Sequence, residues 1–95
     1  MAKNYINILQ AYKDIITKNF GVKSLKLFGS VARNQDHAGS DVDVCVEMEA
    51  DMFKRYALKD YLETLLQKPV DVVRIRENMN QTLKSEIERD GILVF

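Results

Sequence analysis

An α+β fold, a small mixed β-sheet with helices packed on one face, is what this sequence predicts, and three observations predict it. Apolar residues recur at helical spacing over residues 4–19 and 52–67. Three shorter runs, 23–28, 41–48 and 70–75, alternate apolar with polar residues or are rich in valine and isoleucine, as strands are. Between them fall the breakers Gly21, Gly29, Gly39 and Pro69. The predicted order is α-β-turn-β-α-β-α-β.

Taken in order, the first helix carries its stripe on Tyr5, Ile8, Leu9, Tyr12, Ile15, Ile16 and Phe20. Gly21 suits the left-handed position that ends a helix. In the first strand Leu25 and Leu27 take one face, Lys26 and Phe28 the other. Gly29 and Ser30 break that strand, and residues 31–35 suit a short helical turn with its N–H groups turned back towards the break. Residues 34–40 are polar and read as a loop. In the second strand Val42, Val44 and Val46 face one way and Asp41, Asp43 and Cys45 the other. The second long helix buries Leu58, Tyr61, Leu62 and Leu65, with Phe53, Ala57 and Leu66 beside them, and Tyr56 is expected in the core. Pro69 stops it. The β-branched run 70–75 reads as a central strand. Asn78 or Asn80 caps a last helix running to about Arg89, with Leu83 and Ile87 inward. Asp90 and Gly91 turn the chain into a short terminal strand or packing tail, residues 92–95.

Composition bounds the function. The 95 residues are 46% hydrophobic and 29% charged, which reads as one globular domain, 1–95, with no linker. Fourteen basic residues balance fourteen acidic ones, so bulk nucleic-acid binding, which needs a basic excess, is not expected. No apolar run reaches the roughly 18 residues of a membrane span, and the N-terminus lacks the apolar run of a signal peptide. Cys45 is the single cysteine. The expectation is a cytoplasmic protein without an internal disulfide.

The chemistry concentrates at Gly29 and Ser30, and at Asp41 and Asp43. Aspartates at i and i+2 of a strand share one face and suit a hard cation, and a donor-rich turn beside them suits phosphate. Asp71 lies in a run otherwise made of valines, arginine and isoleucine, where an ionised carboxylate is costly unless paired or cation-bound. If its strand lies beside the one bearing Asp41 and Asp43, three carboxylates converge. Two Mg²⁺ ions would relieve their repulsion and bridge an attacking oxygen and a leaving phosphate. A salt bridge of Asp71 with Arg74 or Arg33 is the plainer alternative. His37 reads as a solvated loop residue, Cys45 as a buried small residue without a histidine partner, and Arg74, Arg76 and Lys84 as a solvated basic face.

Gly29-Ser30-x-Ala32-Arg33, Ser40-Asp41-x-Asp43 and a third Asp on a later strand resemble the minimal nucleotidyltransferases of the DNA polymerase β superfamily. More narrowly the chain resembles the MNT-domain antitoxins encoded beside HEPN-domain partners. The likeness covers nearly the whole chain. It implies a polymerase β palm-like fold. It implies that Asp41 and Asp43 bind two Mg²⁺ ions, and that Asp71 binds the catalytic one and accepts the nucleophile's proton. It implies that Gly29 and Ser30 hold the triphosphate, that Arg33 contacts phosphate or braces the loop, and that Ser40 orients the second strand. The implied activity is transfer of AMP from ATP to a tyrosine of a HEPN toxin, with a homo- or hetero-oligomer possible. Relatives commonly carry Gly and an acidic residue after the Arg, and an acidic residue before the Ser of Ser-Asp. Here these are Asn34, Gln35 and Gly39, departures in the loop and not among the metal ligands. Two rival functions stand beside this one: an antitoxin that neutralises its partner by binding alone, and a nucleotidyltransferase acting on a small molecule.

Overall fold

The computed structural model describes residues 2–35 and 39–95. Asp36, His37 and Ala38 lie outside them, and with them the reading of His37. The chain folds as α1 (Ala2–Ala11), α2 (Lys13–Phe20), β1 (Ser24–Phe28), α3 (Gly29–Ala32), β2 (Val42–Glu47), α4 (Met52–Leu66), β3 (Val70–Arg74), α5 (Gln81–Asp90) and β4 (Ile92–Leu93). The four strands form one sheet in the order β3-β2-β1-β4. β1 is antiparallel to β2 and β4, and β2 is parallel to β3. α4 supplies the crossover that a parallel pair requires.

Local chemistry accounts for the boundaries. Gly21 closes α2 at φ +69, its N–H donating to the Thr17 carbonyl. The Asp51 carboxylate caps α4 by accepting from the Lys54 N–H at 3.0 Å. Asn80, not Asn78, caps α5, accepting from the N–H groups of Thr82 and Leu83 at 2.8 and 3.2 Å. The expected single helix over 4–19 is instead two. Tyr12 leaves helical geometry at φ −104, ψ +13, and its N–H is shared between the carbonyls of Ile8 and Leu9. The break leaves Tyr12 and Ile15 exposed, although their spacing had assigned both to the buried stripe.

Strand alternation divides the core. Leu25, Leu27, Val42, Val44 and Val46 meet Leu9 and Ile16 of the N-terminal helices and Leu58 and Leu62 of α4 in one cluster. On the other face Phe28 and Cys45 pack with Met79 and with Ile87 of α5, flanked by Val73 and Leu83. The one-face arrangement of helices thus holds for α1, α2 and α4, while α5 takes the second face. Phe28 and Cys45 are the apolar residues there that need covering. Two further expectations change. β3 is an edge strand, not a central one. Phe53 and Tyr56 on α4 are 88% and 61% exposed, whereas Tyr61 packs against Phe20 with ring centroids 5.3 Å apart.

Candidate active site

The site forms where β1 ends over the start of β2. Register pairs Phe28 with Asp43, so Gly29, the next residue, comes down on the Asp43 side chain. Gly29 has φ +76, and a Cβ built on it would clash with Asp43 Oδ2. Glycine is required here twice over, for the left-handed backbone and for the approach of the carboxylate. The chain then winds into α3, with the Arg33 N–H donating to Gly29 O at 3.2 Å and the Gln35 N–H to Ser30 O at 2.8 Å. Ser30 is half-buried at the start of that turn.

Two of the three aspartates come from neighbouring strands, and the third stands just before one of them. Asp43 pairs directly with Asp71 in the parallel β2/β3 register. Asp41 precedes β2 on the same face as Asp43. Ser40, just before it, is buried, and the Val42 N–H donates to the Pro69 carbonyl at 2.9 Å, which fixes the start of β2 against β3. Asp43 is half-buried; Asp41 and Asp71 are exposed. The sequence expectation that the carboxylates face an open side therefore holds at this end of the sheet, while α5 covers the same face farther along. Among the described residues no ion pair holds Asp71. Arg33 pairs with Asp90 instead, and Arg74 Nε donates to the Met48 carbonyl at 2.9 Å.

Charge at this point is unbalanced. Burial first, then the neighbouring charges of Asp71, Asp41 and Glu86, push the Asp43 carboxyl up to about 6, with Arg33 opposing. Such a crowded carboxylate with an oxygen projecting under a glycine turn suits a hard cation. Among the described residues, however, no three acidic, histidine or cysteine side chains are drawn together closely enough to enclose one ion. Cys45 lies farther along the same face, where burial pushes its thiol up to about 11, so it stays protonated and unreactive near neutrality. A large cleft of about 900 Å³ opens on this face beyond Cys45, lined by Lys26, Arg74 and Lys84 among others, and none of Asp41, Asp43 and Asp71 lines it.

Arg33 braces the turn. Its Nη1 donates to Asp90 Oδ2 at 2.7 Å and its Nε to Gln35 Oε1 at 3.0 Å. Asp90, whose side chain is only 7% exposed, also accepts from Arg89 Nε and Nη2 at 3.1 and 3.0 Å. Asn34 adopts φ +57, and its Oδ1 accepts from the Ala2 N–H at 3.3 Å. Asparagine is among the few non-glycine residues that tolerate this region. Asp90, which the sequence marks only as part of a turn, and Glu86, which it does not single out, both belong to the surroundings of the site. Neither carries a local signal, because the partners that matter lie more than forty residues away.

Comparison with known proteins bears on the family and the fold. The family model described as polymerase beta, nucleotidyltransferase matches residues 10–95. A Methanocaldococcus jannaschii protein to which protein adenylyltransferase activity is ascribed is 40% identical over 90 residues, spanning 93% of this chain and 92% of that one. The protein adenylyltransferase MntA of Thermococcus cleftensis is 38% identical over 85 residues, spanning 87% of this chain and 81% of that one. Among solved structures, a chain of a toxin–antitoxin complex with AMP-PNP superposes with a TM-score of 0.74 at 22% identity, over 90% of this chain and 72% of that chain. A chain of the complex of tri-AMPylated Shewanella oneidensis HEPN toxin with MNT antitoxin gives 0.69 at 24% identity, over 100% and 72%. At these identities the two structures speak for the fold. With a glycine turn set over paired strand carboxylates and a family match over nearly its whole length, this chain belongs to the polymerase β nucleotidyltransferase family.

Proposed function

We propose that this chain transfers AMP from ATP, with Mg²⁺, to a tyrosine hydroxyl of a HEPN-domain partner and so acts as that toxin's antitoxin. The observation that carries the reading is the register pairing of Asp43 with Asp71 beneath Gly29, together with relatives named for protein adenylylation. Asp41 and Asp43 would hold two Mg²⁺ ions, with Asp71 a ligand of one; bound there, the metal would neutralise phosphate charge and polarise the reacting oxygens. The hydroxyl oxygen attacks the α-phosphorus, the bond to the β-phosphate oxygen breaks, and pyrophosphate leaves. Asp71, exposed beside Asp43, would take the hydroxyl proton. Gly29 and Ser30 would receive the triphosphate, with Ser40 fixing the entry to β2. Arg33 supports this by bracing the turn, since its guanidinium is already engaged by Asp90 and Gln35.

The test is label transfer. The chain, Mg²⁺, ATP labelled in its α-phosphate and the co-expressed HEPN partner should yield labelled partner, with label lost when the acceptor tyrosine is changed to phenylalanine. Asp43→Asn should lower the rate at least about a hundredfold, as loss of a metal ligand does. An unlabelled partner, with Asp43→Asn still neutralising the toxin in cells, would instead make this a binding-only antitoxin.

A further inference from the structure

β3 ends the sheet, and its outer side is only partly covered. The Pro69 carbonyl and the Ile75 N–H both bond to β2, to Val42 and Val46. Strand alternation then turns the N–H and C=O groups of Val70, Val72 and Arg74 outward. The first of these is occupied: the Val70 N–H donates to Glu63 Oε2 at 2.9 Å. The groups of Val72 and Arg74 have no backbone or side-chain partner among the described residues. One residue before this open stretch stands Asp71.

Cations surround the open edge. A cleft of about 220 Å³ runs along it, lined by Arg55 of α4, Val72, Arg74 and Arg76, with Asn80 at the start of α5. A second, of about 170 Å³, continues to Asp51 and Met52 and shares Arg55, Arg74 and Arg76. Arg55 and Arg76 have no ion pair or side-chain hydrogen bond among the described residues. Beside Arg55, Met52 and Tyr56 are largely exposed, four residues apart on one face of α4. Arginine, tyrosine and methionine are the residue types that protein interfaces favour. Charged residues at an edge strand also guard against unwanted pairing, so the same arginines would discourage a neutral strand while admitting an acidic one.

We propose that the β3 edge docks the protein partner: an extended, carboxylate-bearing segment adds beside β3, pairing with Val72 and Arg74 and meeting Arg55 and Arg76 with its acidic side chains. Strand addition gives affinity through the main chain and specificity through the flanking side chains. A residue of that segment one or two places along would stand beside Asp71, so docking and delivery of an acceptor hydroxyl are one event. The inference rests on the adenylylation reading for the identity of the partner, but it assigns a surface that the reading does not.

Two measurements on the intact complex with the HEPN partner test it. Amide exchange of the ¹⁵N-labelled chain should show Val72 and Arg74 slowed at least about tenfold in the complex relative to the free chain. The double variant Arg55→Glu/Arg76→Glu, which lies outside the carboxylate site, should keep its ATP affinity and lower kcat/KM for partner labelling about tenfold or more. Unchanged exchange at both amides, or wild-type labelling by the double variant, overturns the docking assignment while leaving the activity intact. If the wild-type chain labels nothing yet both amides become protected, the activity reading fails and the docking surface stands.

Discussion

At the scale of the residue, Asp43 shows what the site costs the fold. Its carboxyl is raised from 3.8 to about 6 by burial and by Asp71, Asp41 and Glu86. Between those two values the folded chain holds a proton that the unfolded chain has released. The stabilisation this gives is complete below pH 4 and is lost as the pH rises through 6. At pH 7 without metal, ionised Asp43 is therefore a burden, and Asp43→Asn should raise stability by about 1 to 2 kcal/mol. Urea unfolding at pH 7 and pH 4 checks this: the gain should appear at pH 7 and vanish at pH 4, and an equal effect at both would contradict it. The aspartates were legible in the sequence because i, i+2 spacing fixes a shared face once a strand is granted. The role of Glu86 was not, since nothing local says that a residue on the last helix faces β2. Nor does any local signal tell Phe53 and Tyr56, which are exposed, from the core residues of the same helix.

At the scale of the element, α3 is four residues long and cannot hold its own shape, because so short a helix forms few internal hydrogen bonds. It is fastened at both ends. Gly29 sets its entry against Asp43, and Arg33 ties its exit to Asp90 at the end of α5. Hydrogen bonds from Arg89 and Arg33 hold the Asp90 carboxyl below its ordinary value, so the clamp is present near neutrality and is released as the pH falls through that lowered value. Asp90→Asn should loosen the turn: ATP affinity should fall on the order of fivefold while pyrophosphate release at saturating ATP changes little, because a mispositioned phosphate cradle weakens binding first. Asp90→Glu should recover part of that loss; equal effects of the two substitutions on kcat alone would argue against a positioning role. The elements themselves were largely readable from period and punctuation, with Gly21, Pro69 and Asn80 marking real ends. What failed was the single helix over 4–19. Its stripe is continuous in sequence, but Tyr12 breaks it, and an apolar pattern alone does not show a one-residue break. The place of β3 at the sheet edge was hidden for a related reason. A valine-rich run signals burial on both faces and is silent on how many neighbours the strand has.

At the scale of the whole molecule, the sheet separates stability from chemistry. One face is sealed by α1, α2 and α4 around buried leucines and valines, and that cluster carries the fold. On the other face α5 covers Phe28 and Cys45, while Asp41 and Asp71 stay exposed and Asp43 is half-buried. A chain built this way carries an electrostatic penalty at one end that its apolar core offsets, and a divalent cation would remove that penalty. Binding to the folded state alone raises stability by mass action, by about 2.7 kcal/mol at a hundred times the dissociation constant. For a domain of this size that is roughly 10 to 20 °C in Tm. Mg²⁺ with a non-hydrolysable ATP analogue should therefore raise Tm clearly at pH 7. A cation held by Asp43 would have to displace its proton, and the gain should then shrink as the pH falls below about 6. In Asp43→Asn the gain should be small at either pH, although that variant starts from the higher Tm. Differential scanning fluorimetry across pH 5 to 8, on both proteins with and without Mg²⁺ and nucleotide, reads all of this at once. A wild-type gain independent of pH would place the cation away from Asp43.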